Sequence, residues 1–196
     1  MNKSFLETIK AVDGKIYHVE YHQQRYESVL ASLGVKTFLN LHDNLHPPSQ
    51  GLYRCRVVYT KDTLEITYIP YKKRQIKTLK ILHDNLIEYD KKYEDRGAIN
   101  ALLGKKERAD DILIVKNSKI TDTSIANIAF FDGVKWLTPN TPLLEGTTRK
   151  RLLKEGKIFL HDIYEEDLQK YKKVALLNAM IDFDILPIEN IRDFYC

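Results

Sequence analysis

The 196-residue sequence predicts an α+β fold in which strands outnumber helices. Three observations predict it. Alternating runs at Tyr53–Thr60 and Leu64–Pro70, joined around Lys61-Asp62, read as a β-hairpin. Tyr53, Cys55, Val57 and Tyr59 share one face, and Arg54, Arg56 and Val58 the other. The stretch Asp110–Phe131 reads as three strands. Two meet at Asn117-Ser118, and the third follows a polar elbow, Thr121-Asp122-Thr123-Ser124. Helical spacing falls mostly in short segments closed by glycine: Tyr21–Leu33 before Gly34, Ala98–Lys106 around Gly104, and a basic helix opened by Gly146-Thr147-Thr148 and stopped by Gly156.

Taken in order, Phe5–Ile9 is a short strand by pattern, and Asp13-Gly14 turns it into Ile16–Val19. On the helix that follows, Tyr26, Val29, Leu30 and Leu33 share a face, and His22 and Arg25 lie near the start. Asn40–Gly51 is polar and turn-rich, a loop. The basic Tyr71–Arg74 connects two lobes: a small α/β lobe, residues 1–71, and a larger strand-rich lobe, residues 72–196. In the second, Ile76–Leu82 alternates as a strand, Asp132-Gly133 marks a hairpin, and HDIYEEDLQKYKKV reads as a helix. Val174–Asn178 and Phe183–Leu186, the latter before Pro187, close the chain as strands.

Composition narrows the function classes. With 43% apolar and 30% charged residues the chain fits a soluble globular protein. No apolar run reaches the roughly 20 residues of a membrane span, and MNKSFLETIKAVDGK lacks the apolar core of a signal peptide. Cys55 and Cys196 form no disulfide framework, so a reducing cytoplasm is the expected home. A net charge of +4 is mild, and Glu65, Asp84 and Glu88 dilute the basic stretch Tyr71–Lys80, so no nucleic-acid partner is expected. The histidines lack zinc spacing, so no metal is expected.

Four groups could carry chemistry. Gly146-Thr147-Thr148-Arg149 offers backbone N–H groups and two hydroxyls to an anion, although a plain N-cap by either threonine explains it equally well. Arg25 is the candidate cation to pair with a phosphate, against an ordinary surface arginine. Asp122 on its elbow could pair with a protonated ring nitrogen, against a turn held by Asp and Ser side chains. Lys91 and Lys92 are candidate nucleophiles, against a solvated lysine pair.

The order of these segments resembles the class IV aminotransferase family, the fold-type IV pyridoxal-phosphate enzymes. The matching text is FLETIKAVDGKIYHVEYHQQRYESVL, KKYEDRGAINALL, ADDILIVKNSKITDTSIANIAFFDG and TPLLEGTTRKRLL. The resemblance implies a small lobe and a larger one with pyridoxal 5'-phosphate in the cleft between them, and a homodimer. It implies that Lys92 is the Schiff-base lysine, with Lys91 its rival, and that Asp122 stands where the family has a glutamate on the pyridine nitrogen. Arg25, Thr147 and Thr148 would hold the phosphate, and Asn127 and Ser124 would support the elbow. Gly97 stands where many members have a tyrosine, leaving Arg96 or Tyr93 as substitutes. Arg54 and Arg56 are candidate substrate contacts. Asn178, in Leu177-Asn178-Ala179-Met180, resembles a segment of the family's lyases. The expected reaction is conversion of 4-amino-4-deoxychorismate to 4-aminobenzoate and pyruvate. The alternatives are an aminotransferase for D- or branched-chain amino acids and a cofactor-free binding protein on the same scaffold.

Overall fold

Side chains at alternate positions of FLETIKAV point to opposite faces, and this makes β1 (Phe5–Val12) the spine of the first of two units. That unit comprises Met1–Lys73 with Lys91–Asp95; the second comprises Arg74–Asp90 with Arg96–Cys196. The computed structural model describes residues 3–186, so Pro187 and Cys196 lie outside the described residues.

Asp13 and Gly14, at φ 46° and 77°, turn β1 into β2 (Lys15–Ile16). The expected second strand is cut short because His18 takes a left-handed conformation, φ 56°, and the helix α1 (Val19–Ser32) begins at once. After the short α2 (Leu41–Asn44), β3 (Leu52–Tyr59) pairs antiparallel with β1 along its whole length, from Phe5 opposite Tyr59 to Val12 opposite Leu52. β4 (Leu64–Pro70) completes a sheet of order β2-β1-β3-β4. α2 lies inside the segment expected to be a loop, capped by the Asn40 side chain, which accepts from the His42 N–H at 3.1 Å.

Tyr26, Val29 and Leu30 of α1 pack on Phe5, Ile9, Cys55, Val57 and Tyr59. Leu33, expected on that face, is the C-cap and 43% exposed. The buried stripe is His22, Tyr26, Val29, Leu30, so a histidine takes a core position. Residues 91–95 run beside β1: the Leu6 N–H donates to the Lys92 carbonyl at 2.8 Å, and the Glu94 N–H to the Ser4 carbonyl at 3.0 Å.

The second unit is a larger sheet. Its elements are β5 (Leu79–His83), α3 (Gly97–Leu103), β6 (Asp111–Lys116), β7 (Lys119–Thr123), β8 (Asn127–Phe131) and β9 (Trp136–Pro139), then α4 (Thr147–Lys154), β10 (Phe159–His161), β11 (Lys173–Asn178) and β12 (Asp182–Leu186). The order is β10-β9-β8-β7-β6-β5, and β11 pairs with both β8 and β12. β8 and β11 are apolar on both faces because both are covered. Ile128, Phe130, Val174 and Leu176 face one core with Leu113, Val115 and Ile120, while Ala129, Ala175 and Leu177 face a second core with Leu152 of α4.

Two expectations change here. The strand expected over Ile76–Leu82 begins at Leu79, because the Lys77 and Thr78 N–H groups donate to Asp110 Oδ2 at 2.7 and 3.0 Å rather than to a ladder. HDIYEEDLQKYKKV is not a helix. It is the end of β10, an extended stretch whose Ile163 carbonyl accepts from Ile120 N–H at 2.8 Å, and a 3-10 turn over Glu165–Lys170. Its buried positions, Ile163, Leu168 and Tyr171, are five and then three residues apart, which fits no helical stripe, and the sheet claims the segment.

Candidate active site

In the second unit the site is built around a register irregularity. Leu113 faces Thr123 and Val115 faces Ile120, so two steps on β6 match three on β7. The extra residue of this bulge falls at Thr121-Asp122, and β7 passes to β8 through the single pair Asp122 opposite Asn127. Bulges re-aim side chains in this way. Asp122 is thereby buried, with one oxygen accepting from Asn127 Nδ2 at 2.7 Å and the other from the Leu144 N–H at 2.9 Å. Asn127 also donates to the Leu144 carbonyl at 2.8 Å, so it ties the elbow to the approach of α4. Burial pushes the Asp122 carboxyl up to about 6, against the lowering pull of Asn127, the Leu144 N–H and Arg149.

The α4 terminus adjoins this carboxylate. Gly146 is the N-cap and has no capping side chain; Thr147 and Thr148 lie within the helix and are buried. The plain N-cap explanation of the threonines therefore fails, since both lie in the first turn after the cap. A Cβ on Gly146 would lie 1.9 Å from Asn127 Oδ1. Gly146→Ala should thus push Asn127 off Asp122 and cost about 1–3 kcal/mol, an overpacking penalty read as a lower urea midpoint. An unchanged midpoint would mean that Asn127 is not held against the glycine. Arg149, fully buried, anchors the first turn by donating to Glu145 at 2.7 Å and to the Pro139 carbonyl at 2.8 Å.

In the first unit Arg25 does not stand alone. Glu7 lies on the apolar face of β1 with Phe5 and Ile9, and is fully buried. Its Oε1 accepts from Arg25 Nε at 2.7 Å, and its Oε2 from Arg25 Nη2 at 2.6 Å and from His22 Nδ1 at 2.6 Å. Burial alone would raise the Glu7 carboxyl; Arg25 and His22 outweigh it and hold it down at about 2. His22 is driven the other way, below its ordinary value, chiefly by burial and further by Arg25 and Lys92, with Glu7 opposing.

The other candidates are placed as follows. Arg56 pairs with Glu94 at 3.2 Å, and Arg54 has a buried Nε without a hydrogen bond. Asn178 Oδ1 accepts from the Met180 and Ile181 N–H groups at 2.9 and 3.1 Å, shaping the turn after β11, while its Nδ2 donates to the Ile125 carbonyl at 3.2 Å. Arg96, at the start of α3, donates to the Ser124 carbonyl at 2.5 Å. Tyr93 packs its ring on Phe5 at 5.5 Å. Sequence reasoning missed Glu7 and the partnership of His22 with it. The signal was there: strand alternation puts Glu7 between Phe5 and Ile9 on the apolar side, where a carboxylate needs partners.

The fold and these groups define a strand-rich α+β enzyme scaffold of the fold-type IV kind, with a buried acid on a bulged strand beside a helix N-terminus. The model of the family "Amino-transferase class IV" matches residues 36–191, and the chain belongs to that family. It is thus an enzyme of the pyridoxal-phosphate-dependent lyase and aminotransferase class. A protein of Haemophilus influenzae of uncharacterized role is 39% identical over 180 residues, which is 89% of this chain and 96% of that one. A crystal structure from Haemophilus somnus, described as a "putative 4-amino-4-deoxychorismate lyase", is 36% identical with TM-score 0.83, covering 92% of this chain and 97% of that one. The branched-chain amino acid aminotransferase of Escherichia coli shares the fold alone, at 14% identity and TM-score 0.73 over 94% of this chain and 76% of its own.

Proposed function

We propose that the chain is a lyase that converts 4-amino-4-deoxychorismate to 4-aminobenzoate and pyruvate with pyridoxal 5'-phosphate. The observation that carries this reading is the 36% identity, over nearly the full length of both chains, to the Haemophilus somnus protein described in those terms. A protein of Schizosaccharomyces pombe described as a "putative aminodeoxychorismate lyase" adds 32% identity over 88 residues, 42% of this chain and 38% of its own.

The residues fit the cofactor. A buried carboxylate that takes one strong donor on each oxygen retains acceptor capacity for a ring N–H, and an uncapped helix start beside it suits a phosphate. When bound, pyridoxal phosphate supplies an electron sink for the charge left by bond cleavage. The chain supplies the rest. Lys92 anchors the cofactor through its amine, then serves as base at the carbon bearing the substrate amine and returns the proton later. Asp122, ionised by the positive ring nitrogen, keeps that nitrogen protonated. Thr147, Thr148 and Arg25 hold the phosphate. In this reading residues 1–71 and 72–196 are the two lobes, and two chains form a homodimer. Arg54, Arg56 and Asn178 are the proposed substrate contacts.

The test is direct. Protein loaded with pyridoxal phosphate and given 4-amino-4-deoxychorismate should release 4-aminobenzoate and equimolar pyruvate. Amino transfer to 2-oxoglutarate without 4-aminobenzoate would make the protein an aminotransferase instead. Neither product, with no cofactor retained, would leave a binding protein.

A further inference from the structure

The ion cluster Glu7, His22 and Arg25 is a tightly bonded charged group of the first unit, and the reaction just described uses only its arginine. A carboxylate on the apolar face of a strand is costly unless neutralised, and here two side chains one turn apart on α1 converge on it. The geometry is specific. Glu7 takes the side-on pair of Arg25, Nε and Nη2, one oxygen each. Arginine carries five N–H donors in a rigid plane, so this clamp fixes the plane and turns the other three donors away from the carboxylate. The Arg25 side chain is 14% exposed while Glu7 is completely covered, so the clamped carboxylate lies inside. His22 Nδ1 bonds to the same Oε2 and fixes the carboxylate in turn.

We propose that Glu7 is a positioning residue for Arg25: it presents the guanidinium to the cofactor phosphate in one orientation, with His22 bracing the carboxylate. The inference rests on the reading of Arg25 as the phosphate's cation. Its physical content is preorganisation. The Glu7–Arg25 pair is electrically neutral overall, so its hold on a phosphate comes from donors already aimed and not from excess charge. A free arginine would lose its rotamer freedom on binding; the clamped one has lost it on folding.

The experiment compares two probes on the full-length, cofactor-free protein: pyridoxal phosphate, and pyridoxal, which lacks the phosphate. Glu7→Gln keeps the shape and removes the charge that clamps Arg25. It should weaken pyridoxal phosphate about 10- to 100-fold, by analogy with the loss when a partner that orients a metal-binding residue is removed, and leave pyridoxal unchanged. In an Arg25→Lys background the same change should add nothing to that ratio, because the orientation acts through arginine. A purely structural role for Glu7 would lower thermal stability and leave the ratio of the two affinities unmoved, which overturns the proposal. If Arg25→Lys itself leaves the ratio unmoved, the phosphate assignment of Arg25 fails first, and the two failures are told apart. Should Glu7→Gln not fold, Glu7→Asp keeps the charge but is one methylene too short to reach Nε and Nη2. A folded Glu7→Asp protein with an unchanged ratio likewise overturns the proposal.

Discussion

Lys92→Ala is expected to abolish covalent capture of pyridoxal phosphate and to lower turnover by at least about 10³-fold, the scale of losing a positioned base together with the anchoring amine. The change should barely disturb the fold. It is the Lys92 backbone carbonyl, not the side chain, that accepts the Leu6 N–H at 2.8 Å, and alanine keeps that bond. Borohydride reduction followed by mapping of the modified peptide checks the assignment: the adduct should sit on residue 92 and survive Lys91→Ala. An adduct on residue 91, lost in Lys91→Ala, would transfer the role to the neighbour.

The second large effect concerns Asp122. Without cofactor, burial raises its carboxyl from 3.8 to about 6. A carboxyl whose folded value lies above its unfolded one contributes stability that is present below pH 3.8 and lost as pH rises through about 6. Asp122→Asn cannot ionise and escapes that loss. The parent should therefore fall relative to the variant by on the order of 2–3 kcal/mol between acid and neutral pH, in urea unfolding of the cofactor-free proteins. Parallel pH curves would sink the idea that desolvation governs this carboxyl. Activity should move the opposite way. The amide of the variant holds no charge against the ring nitrogen, so turnover should drop on the order of 10²–10³-fold, as when one preorganised electrostatic partner is removed. A more stable apo-protein with a crippled reaction would mark Asp122 as a residue kept for chemistry at a cost in stability.

Much of the fold was legible in the sequence because its signals are local. Alternation marked β1, β3 and β4, the apolar runs marked β6 and β11, and glycines closed α1 and α4. Two of the misreadings share a cause. At Ile163–Tyr171 and at Lys77-Thr78 a long-range partner outweighed a local preference: a strand neighbour and the Asp110 carboxylate.

By itself the sequence determined which residue types are available and in what order: a lysine before α3, an acid between two strands, threonines at a helix start and an arginine on the first helix. Those choices are local and chemical. The tertiary structure decided what each of them touches. Only the bulge on β7 turns Asp122 inward to Asn127 and Leu144, and only the pairing of β1 with the α1 surface brings Glu7 to Arg25 and His22. Burial and its partners then drive the two carboxyls apart, one up to about 6 and one down to about 2, because a carboxyl's ionisation depends on the donors and charges that the fold places around it.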